Sequence, residues 1–582
     1  MLRGKRKIMI RCFDTHEVRK TAELNGLWEV EILEGTGSVT EEAHFTMMVP
    51  GCVESLPGLG NFRGKCRFSK EVRLEKNGPV KLIFYGVSFL TEVYWDGEKM
   101  ADHYNAYTEF DVVLPEQSAG VHTLELVVDN SWNEDISALH IPNDYQSYNG
   151  ITRPVELAYI PALYIDYVHM TSIWNREKEV WCAEAVVKLK GLEGWKERYG
   201  AEEIYLSVEL CGQQGKYPVD PEGCADNCDP SSMMCHFTME VPEAESWEIL
   251  HSRLYLLKTR LMAGNETLDD RIERVGFRRV EVKGREILLN GKRVFPQGFC
   301  RHEDHPEYGC SLPVEEMARD IALLLDMGCN SVRTTHYPND QRFLDLCDEY
   351  GILVWEENHA RGLNEEQMSH VNFDTQCAAC NEAMVTRHYN HPSIYVWGIL
   401  NECASETEYG YRCYEKQFRQ IKELDGSRPV TFSSCRNFKD ISFGLVDIVS
   451  MNVYPGWYHD TPPGKWVDDL EEWIETTDGA GKPLILSEFG AGAIYGFHDY
   501  DRVKWSEERQ ADILKLQLQA FLRREYVSGT YIWQFCDNRV SEEIMRQRPG
   551  TRNNKGVVDG YRRPKMAYKI VREMYRDHPA KS

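Results

Sequence analysis

At 582 residues the chain is too long for one hydrophobic core, so two to four domains are expected. Hydrophobic residues at 42% and charged residues at 27% describe an ordinary globular composition. The formal net charge of −25, from 67 Lys and Arg against 92 Asp and Glu, argues against nucleic acid or an anionic membrane as partner, and an anionic small molecule would need a local cluster of cations at its pocket.

No apolar run approaches the roughly 18 residues of a membrane span, and the basic opening MLRGKRKIMIRCFDTHE lacks the apolar core of a signal peptide. The 18 cysteines are scattered. Cys224, Cys228 and Cys235, and the pair Cys377-x-x-Cys380, come nearest to clusters, but neither has a second pair or a histidine at zinc-finger spacing. Reduced thiols, no metal and a cytoplasmic location are the expectation.

From about Leu24 to Ile160 the pattern is short strands and turns, with Val80 to Val87 and Leu124 to Val128 strand-like. Asp96-Gly97 is a turn signal after the strand-like Val93-Tyr-Trp. A jelly-roll β-sandwich over 1–160 accounts for this, ending in the loop Asn143 to Arg153. From Pro161 to Lys283, β-type runs at Ala185 to Leu189, Ile204 to Leu210 and Leu254 to Leu261 suit an immunoglobulin-like sandwich over 161–283. Tyr217 to Met234 reads as a long loop between them.

After Ile287 apolar β runs alternate with helical segments. Eight candidate strands follow: Val294 to Phe299, Ser331 to His336, Leu353 to Glu357, Ile394 to Glu402, Val430 to Ser434, Ile448 to Tyr454, Leu484 to Phe489, and Thr530 to Phe535. Met317, Ile321, Leu324 and Leu325 share one helical face, as do Leu514, Leu518, Phe521 and Leu522. This rhythm predicts a (β/α)8 TIM barrel over 284–582.

Active sites of such barrels sit at the C-terminal ends of the strands. Glu402 closes the fourth candidate strand and Glu488 the seventh, giving the carboxyl pair that glycoside hydrolysis requires. The same rim receives His302, His336, Glu356, Glu357, Tyr454 and Trp533. A lone glutamate after an apolar strand is most often a solvated loop residue. Two at matching strand ends, with polar and aromatic groups gathered at one mouth, point to catalysis. His305, in His-Glu-Asp-His, has no further ligand at metal spacing.

These residues resemble family 2 glycoside hydrolases over nearly the whole chain. The match rests on Leu24-Asn-Gly-Leu-Trp28, Val49-Pro-Gly51, Arg271 to Arg278 leading into Leu289-Asn-Gly-Lys292, Arg301-His-Glu-Asp304 and Val332-Arg-Thr-Thr-His-Tyr-Pro338. Its most specific pieces are Asn390-His-Pro392 through Trp397 to Asn401-Glu402, and Ser487-Glu-Phe-Gly490. The resemblance implies a retaining mechanism with Glu402 as acid/base and Glu488 as nucleophile, without metal or organic cofactor.

Within the family the β-glucuronidase group carries an Asn-x-Lys motif for the substrate carboxylate, and Asn553-Asn-Lys555 fits it, with Arg552 or Arg562 as reinforcement. Asp144 to Arg153 resembles the loop that group sends to its pocket, and Asn452 to Tyr458 its strand-six rim. Trp533-Gln-Phe-Cys-Asp537 departs from the group's Trp-Asn-Phe-Ala-Asp, and the segment after Glu357 is short.

The expected substrates are β-D-glucuronides or glucuronic-acid-terminated oligosaccharides, with β-galactosides or β-galacturonides as alternatives, and the family implies homo-oligomers, often tetramers. On chemical grounds, Arg333 and Tyr454 are expected to hold Glu488 ionised, and a raised pKa to keep Glu402 protonated. Asn401 is expected at the sugar's 2-hydroxyl, with His302, His336, Tyr458, Trp533 and Asp144 around the pocket.

Overall fold

The computed structural model describes residues 10–35, 43–200, 202–220, 229, 231–541, 543 and 548–577. The expected Cys224–Cys228 neighbourhood lies outside them.

The N-terminal strands form two antiparallel sheets. One has six strands in the order His44–Val49, Gly26–Gly35, Gly64–Leu74, Gly120–Asp129, Leu90–Trp95 and Glu98–Tyr104. The other has four: Thr21–Glu23, Val155–Tyr159, Gly78–Phe84 and Phe110–Gln117. Inward positions alternate along each strand, so Trp28, Val30 and Ile32 meet Phe68, Leu82 and Leu126 in one core. The predicted turn is a tight hairpin: Asp96 and Gly97 both have positive φ (51° and 83°), the backbone that Asp-Gly favours.

A second sandwich packs three strands (Leu163–Asn175, Val180–Gly191, Ser232–Val241) on four (Gln213–Pro218, Ile204–Leu210, Tyr255–Ala263, Glu266–Val275). The segment read as a loop from Tyr217 to Met234 therefore gives its two ends to strands, which its Pro and Cys content concealed.

A three-stranded meander, Val280–Lys283, Glu286–Leu289 and Lys292–Val294, leads into a closed parallel barrel. The barrel strands are Gln297–Arg301, Ser331–Thr334, Leu353–Glu357, Ile394–Gly398, Val430–Ser434, Ile448–Asn452, Leu484–Phe489 and Val527–Ile532. All eight expected strands are present, and three have shifted ends that matter. The first begins after Pro296, because Val294 is already paired in the meander. The fourth stops at Gly398, since Leu400 and Glu402 take left-handed backbone (φ 49° and 55°) that no strand accommodates. The eighth starts at Val527, where Ser528 and Gly529 interrupt the apolar pattern that marks a strand in sequence.

The loop from the first sandwich is fastened to the barrel mouth. Arg153 donates to Glu303 at 2.8 Å, and the Tyr148 hydroxyl donates to Asp304 at 2.6 Å. At the other end of the barrel Trp247, from the second sandwich, is fully buried, donates Nε1–H to the Asp348 carbonyl at 2.8 Å and packs with Leu353, Trp355 and Tyr395. Trp247→Ala is expected to lower stability by about 3–5 kcal/mol, from lost burial and the cavity left behind. Chemical denaturation monitored by circular dichroism checks this, and an unchanged midpoint would contradict the role given to this contact.

Candidate active site

The site is built around Arg333 on the second strand, whose side chain is fully buried. Its guanidinium donates to both oxygens of Glu357 (3.0 Å each), to Glu488 Oε1 (3.0 Å), to the Ser487 carbonyl (3.1 Å) and to Asn401 Oδ1 (2.8 Å). Burial alone would depress its pKa, but Glu357 and Glu488 outweigh that and raise it. One cation thus ties together residues from strands two, three and seven and the loop after strand four.

Glu402 and Glu488 line one cavity of about 340 Å³. Glu488 accepts from Arg333 and, at 2.9 Å, from the Tyr454 hydroxyl, as expected. Glu402 accepts from Asn452 Nδ2 at 2.9 Å and lies 3.8 Å from Arg361. Asn452 is the register partner of Glu488 and also accepts from Ser487 at 2.8 Å, so it links the two acids mechanically. The left-handed backbone at Glu402 is uncommon for a residue with a side chain and is the kind of conformation held at functional positions.

The upward pKa pressure falls on Glu488, the more enclosed of the two (side chain 5% exposed against 21%). Burial first, then the charge of Glu402, push it up to about 7, against the pull of Arg333, Arg361 and Tyr454. The expectation had placed that pressure on the acid/base. The donors aimed at Glu488 from Arg333 and Tyr454 favour its ionised form.

The remaining expected residues divide between the cavity wall and a shell behind it. Tyr454, Tyr458, Trp533, Asp144 and Lys555 line the wall. Lys555 is buried, donates to the Tyr458 hydroxyl at 2.8 Å, and has no carboxylate within ion-pair distance among the described residues. Burial pushes its ammonium below the ordinary range, and Arg548 adds to this. Asp144 is pushed up by burial but held low by Arg361, Arg548 and Lys555. It accepts on Oδ2 from Arg548 (3.0 Å) and Asn553 (3.1 Å), and its buried Oδ1 has no partner.

Asn401, Arg333, His302, His336 and Asn553 stand behind that wall. His336 stacks on Trp533 (centroids 5.1 Å apart) and pairs through Nδ1 with Glu357 at 2.7 Å. Burial and the Arg333 charge keep its imidazole neutral, leaving Nε2 4.0 Å from Glu488 and without a partner. His302 is likewise neutral through burial, bonded by Nδ1 to the Tyr337 hydroxyl at 3.2 Å. Asn553 donates one of its two amide hydrogens to Asp144 and does not line the cavity as expected.

Neither expected arginine reinforces Lys555. Arg562 is drawn into a buried ion pair with Asp320 (2.8 Å), and Arg552 pairs in a short hairpin across from Arg539, with Nη1 beside Gly560. The cations that gather there are Arg361 and Arg548, 3.9 and 3.0 Å from Asp144. Arg361 lies in the short segment after Glu357 and Arg548 in a loop between strand eight and the Asn-x-Lys motif, so no spacing pattern marked either.

Glu357 serves Arg333 and His336, whereas Glu356 is structural, accepting from the Asn339 amide and paired with His388. His305 holds a turn through the Glu307 amide. Asp345, Asp348 and His391 approach metal-like spacing, but Arg11 saturates Asp345 and the Ser393 amide and His391 engage Asp348. The described cysteines are free thiols, and no helix among the described residues is long and apolar enough to cross a membrane.

The description "Glycosyl hydrolases family 2, TIM barrel domain" matches residues 280–578. The chain belongs to glycoside hydrolase family 2. It is similar to dog β-glucuronidase, 31% identical over 450 residues, which cover 74% of this chain but only 64% of the dog protein's length. A β-galacturonidase structure from Eisenbergiella tayi, bound to galacturonate, is 46% identical and superimposes with a TM-score of 0.91 over 98% of this chain and 99% of that one. The β-D-glucuronidase structure from Dictyoglomus thermophilum is 26% identical, with a TM-score of 0.80 over 97% and 98%.

For this family 2 chain the raised Glu488 pKa predicts a specific pH response. With wild type and an aryl glycoside that it turns over, kcat/KM is expected to fall on the acid side with an apparent pKa near 7, where Glu488 takes up a proton. In Glu402→Gln, with the same dinitrophenyl leaving group used for both proteins, removing the neighbouring negative charge lowers the Glu488 pKa, so that acid limb moves below 7. An acid limb that stays in place in the variant would refute the influence of Glu402 on Glu488.

Proposed function

We propose that the protein is a retaining β-D-hexuronidase that removes terminal β-linked uronic acid residues. The carrying observation is Lys555: a buried ammonium without a carboxylate partner, on the wall of the cavity that both glutamates line. A buried cation without an ion-pair partner is unfavourable in the empty protein and becomes favourable when an anionic sugar pairs with it. A neutral hexose leaves it unpaired and is rejected on the same ground.

In this reading Glu488 attacks the anomeric carbon while Glu402 delivers its proton to the glycosidic oxygen. The C1–O bond breaks, the alcohol leaves, and a glycosyl ester forms on Glu488. Glu402, now a carboxylate, takes a proton from water as that water attacks C1, returning Glu488 with overall retention. Arg333 and Tyr454 stabilise Glu488 as it regains its charge. Asn401 keeps a buried Nδ2 without a partner, a donor suited to the 2-hydroxyl, where contacts strengthen in the transition state.

Of the two C4 epimers, galacturonide is the favoured substrate, because likeness to the Eisenbergiella tayi enzyme extends along the whole chain at 46% identity. Glucuronide is the second reading, supported by likeness to the dog and Dictyoglomus thermophilum enzymes at 31% and 26%. Nitrophenyl β-glycosides of galacturonic acid, glucuronic acid and galactose, compared by kcat/KM, decide between them; fastest turnover of the galactoside would end the hexuronidase reading.

Two variants test the roles. Glu488→Ala is expected to abolish turnover, and substantial residual activity would contradict its assignment as nucleophile. Lys555→Ala should reduce kcat/KM on hexuronides by roughly 10- to 100-fold relative to neutral glycosides, the scale of a lost hydrogen bond to a charged group. An unchanged ratio between the two would remove Lys555 as the carboxylate sensor.

A further inference from the structure

The wall of the catalytic cavity holds two chemically different sets of residues. Around Asp144 and Lys555 it is cationic, with Arg361 in the wall and Arg548 behind. The wall is completed by Cys435, Asn437, His459 and Trp466, which carry no cation and take no part in the chemistry described above. Asn437 belongs to the loop after the fifth barrel strand, and His459 and Trp466 to the segment that follows the sixth strand and opens the next helix.

This second group stands next to the proton donor. Arg436 donates to the Glu402 carbonyl at 3.1 Å, which fastens the loop carrying Cys435 and Asn437 to the Glu402 backbone. A group leaving from the anomeric carbon departs on the side of the acid that protonates it, so residues on the loop fastened to Glu402 are placed to meet it.

Three of its polar atoms are shielded and without partners: Asn437 Oδ1, His459 Nδ1 and Trp466 Nε1. Unpaired polar atoms in such positions are rare in folded proteins and call for an explanation. The rings are also arrayed as a continuous apolar surface. Trp466 packs against His459 with centroids 4.2 Å apart, and Phe438, 40% exposed, meets Trp466 edge-on at 5.5 Å. Apolar ring surface with an acceptor and an indole N–H donor beside it suits a pyranose, which offers a C–H face and a rim of hydroxyls. A flat apolar aglycone would leave all three polar atoms unsatisfied.

We infer that Asn437, His459 and Trp466 form a leaving-group subsite for a neutral pyranose, so that the natural substrates are oligosaccharides ending in a β-linked uronic acid. This rests on the hexuronidase reading above. In this inference Asn437 and Trp466 set which leaving group is preferred.

The test compares two substrates of the same uronic acid: its glycosyl fluoride, whose leaving group is too small to reach the subsite, and a disaccharide in which it is β-linked to a neutral hexose. Wild type is expected to hydrolyse both. In Asn437→Ala and in Trp466→Phe, which keeps a ring but removes the N–H, kcat/KM for the disaccharide relative to the fluoride is expected to fall at least tenfold. Failure of wild type to cleave the disaccharide overturns the inference, as does an unchanged ratio in both variants. Failure on the fluoride as well as the disaccharide would instead sink the hexuronidase reading itself. The fluoride rate also reports whether each variant is folded.

Discussion

Arg333 is the constraint on which the arrangement of the site depends. It is a fully buried cation surrounded by Glu357, Glu488, Asn401 and a backbone carbonyl, all at hydrogen-bond distance. Removing one partner of such a cluster leaves charge uncompensated in a low-dielectric interior, a penalty of several kcal/mol, and this keeps the cluster in one geometry. Glu357 then passes the constraint to His336, and His336 to Trp533 by stacking. The nucleophile candidate is thus positioned by residues from opposite sides of a closed sheet, and no single βα unit could hold it alone.

A protein with a net charge of −25 must still present cations if it is to take an anion. The structure concentrates them around one carboxylate. Asp144 arrives from the first sandwich on a loop tied down by Arg153 and Tyr148, and it sits among Arg361, Arg548 and Lys555. Asp144 offsets part of their mutual repulsion, which lets three cations coexist within a small volume. The N-terminal sandwich therefore contributes directly to the pocket. Asn437 and Trp466, in the same cavity wall, carry no charge.

Much of this was legible in the residues. The alternation of apolar strands with amphipathic helices follows from local periodicity, and it yielded eight strands whose C-terminal ends collect at one rim. Glu402, Glu488, Tyr454 and Lys555 could be singled out as candidates because each sits next to such an end or in a distinctive short motif. Strand ends were less legible where local backbone overrides pattern, as at Leu400 and Glu402 with their left-handed φ.

What the chain order could not convey is which distant charges meet. Arg552 and Arg562 stand beside the carboxylate motif in sequence, yet one turns toward Gly560 and the other is taken by Asp320. Arg361 and Arg548, nearly 190 positions apart, converge on Asp144 from two further directions. Sequence by itself determined the layered sandwiches and the barrel and pointed to two candidate acids, because these depend on hydrophobic period and on neighbours along the strand. Tertiary structure alone decided the cationic pocket, the raised Glu488 pKa and the uncharged residues in the same wall, because electrostatic energy depends on separation through space and on burial, and neither is encoded in spacing along the chain.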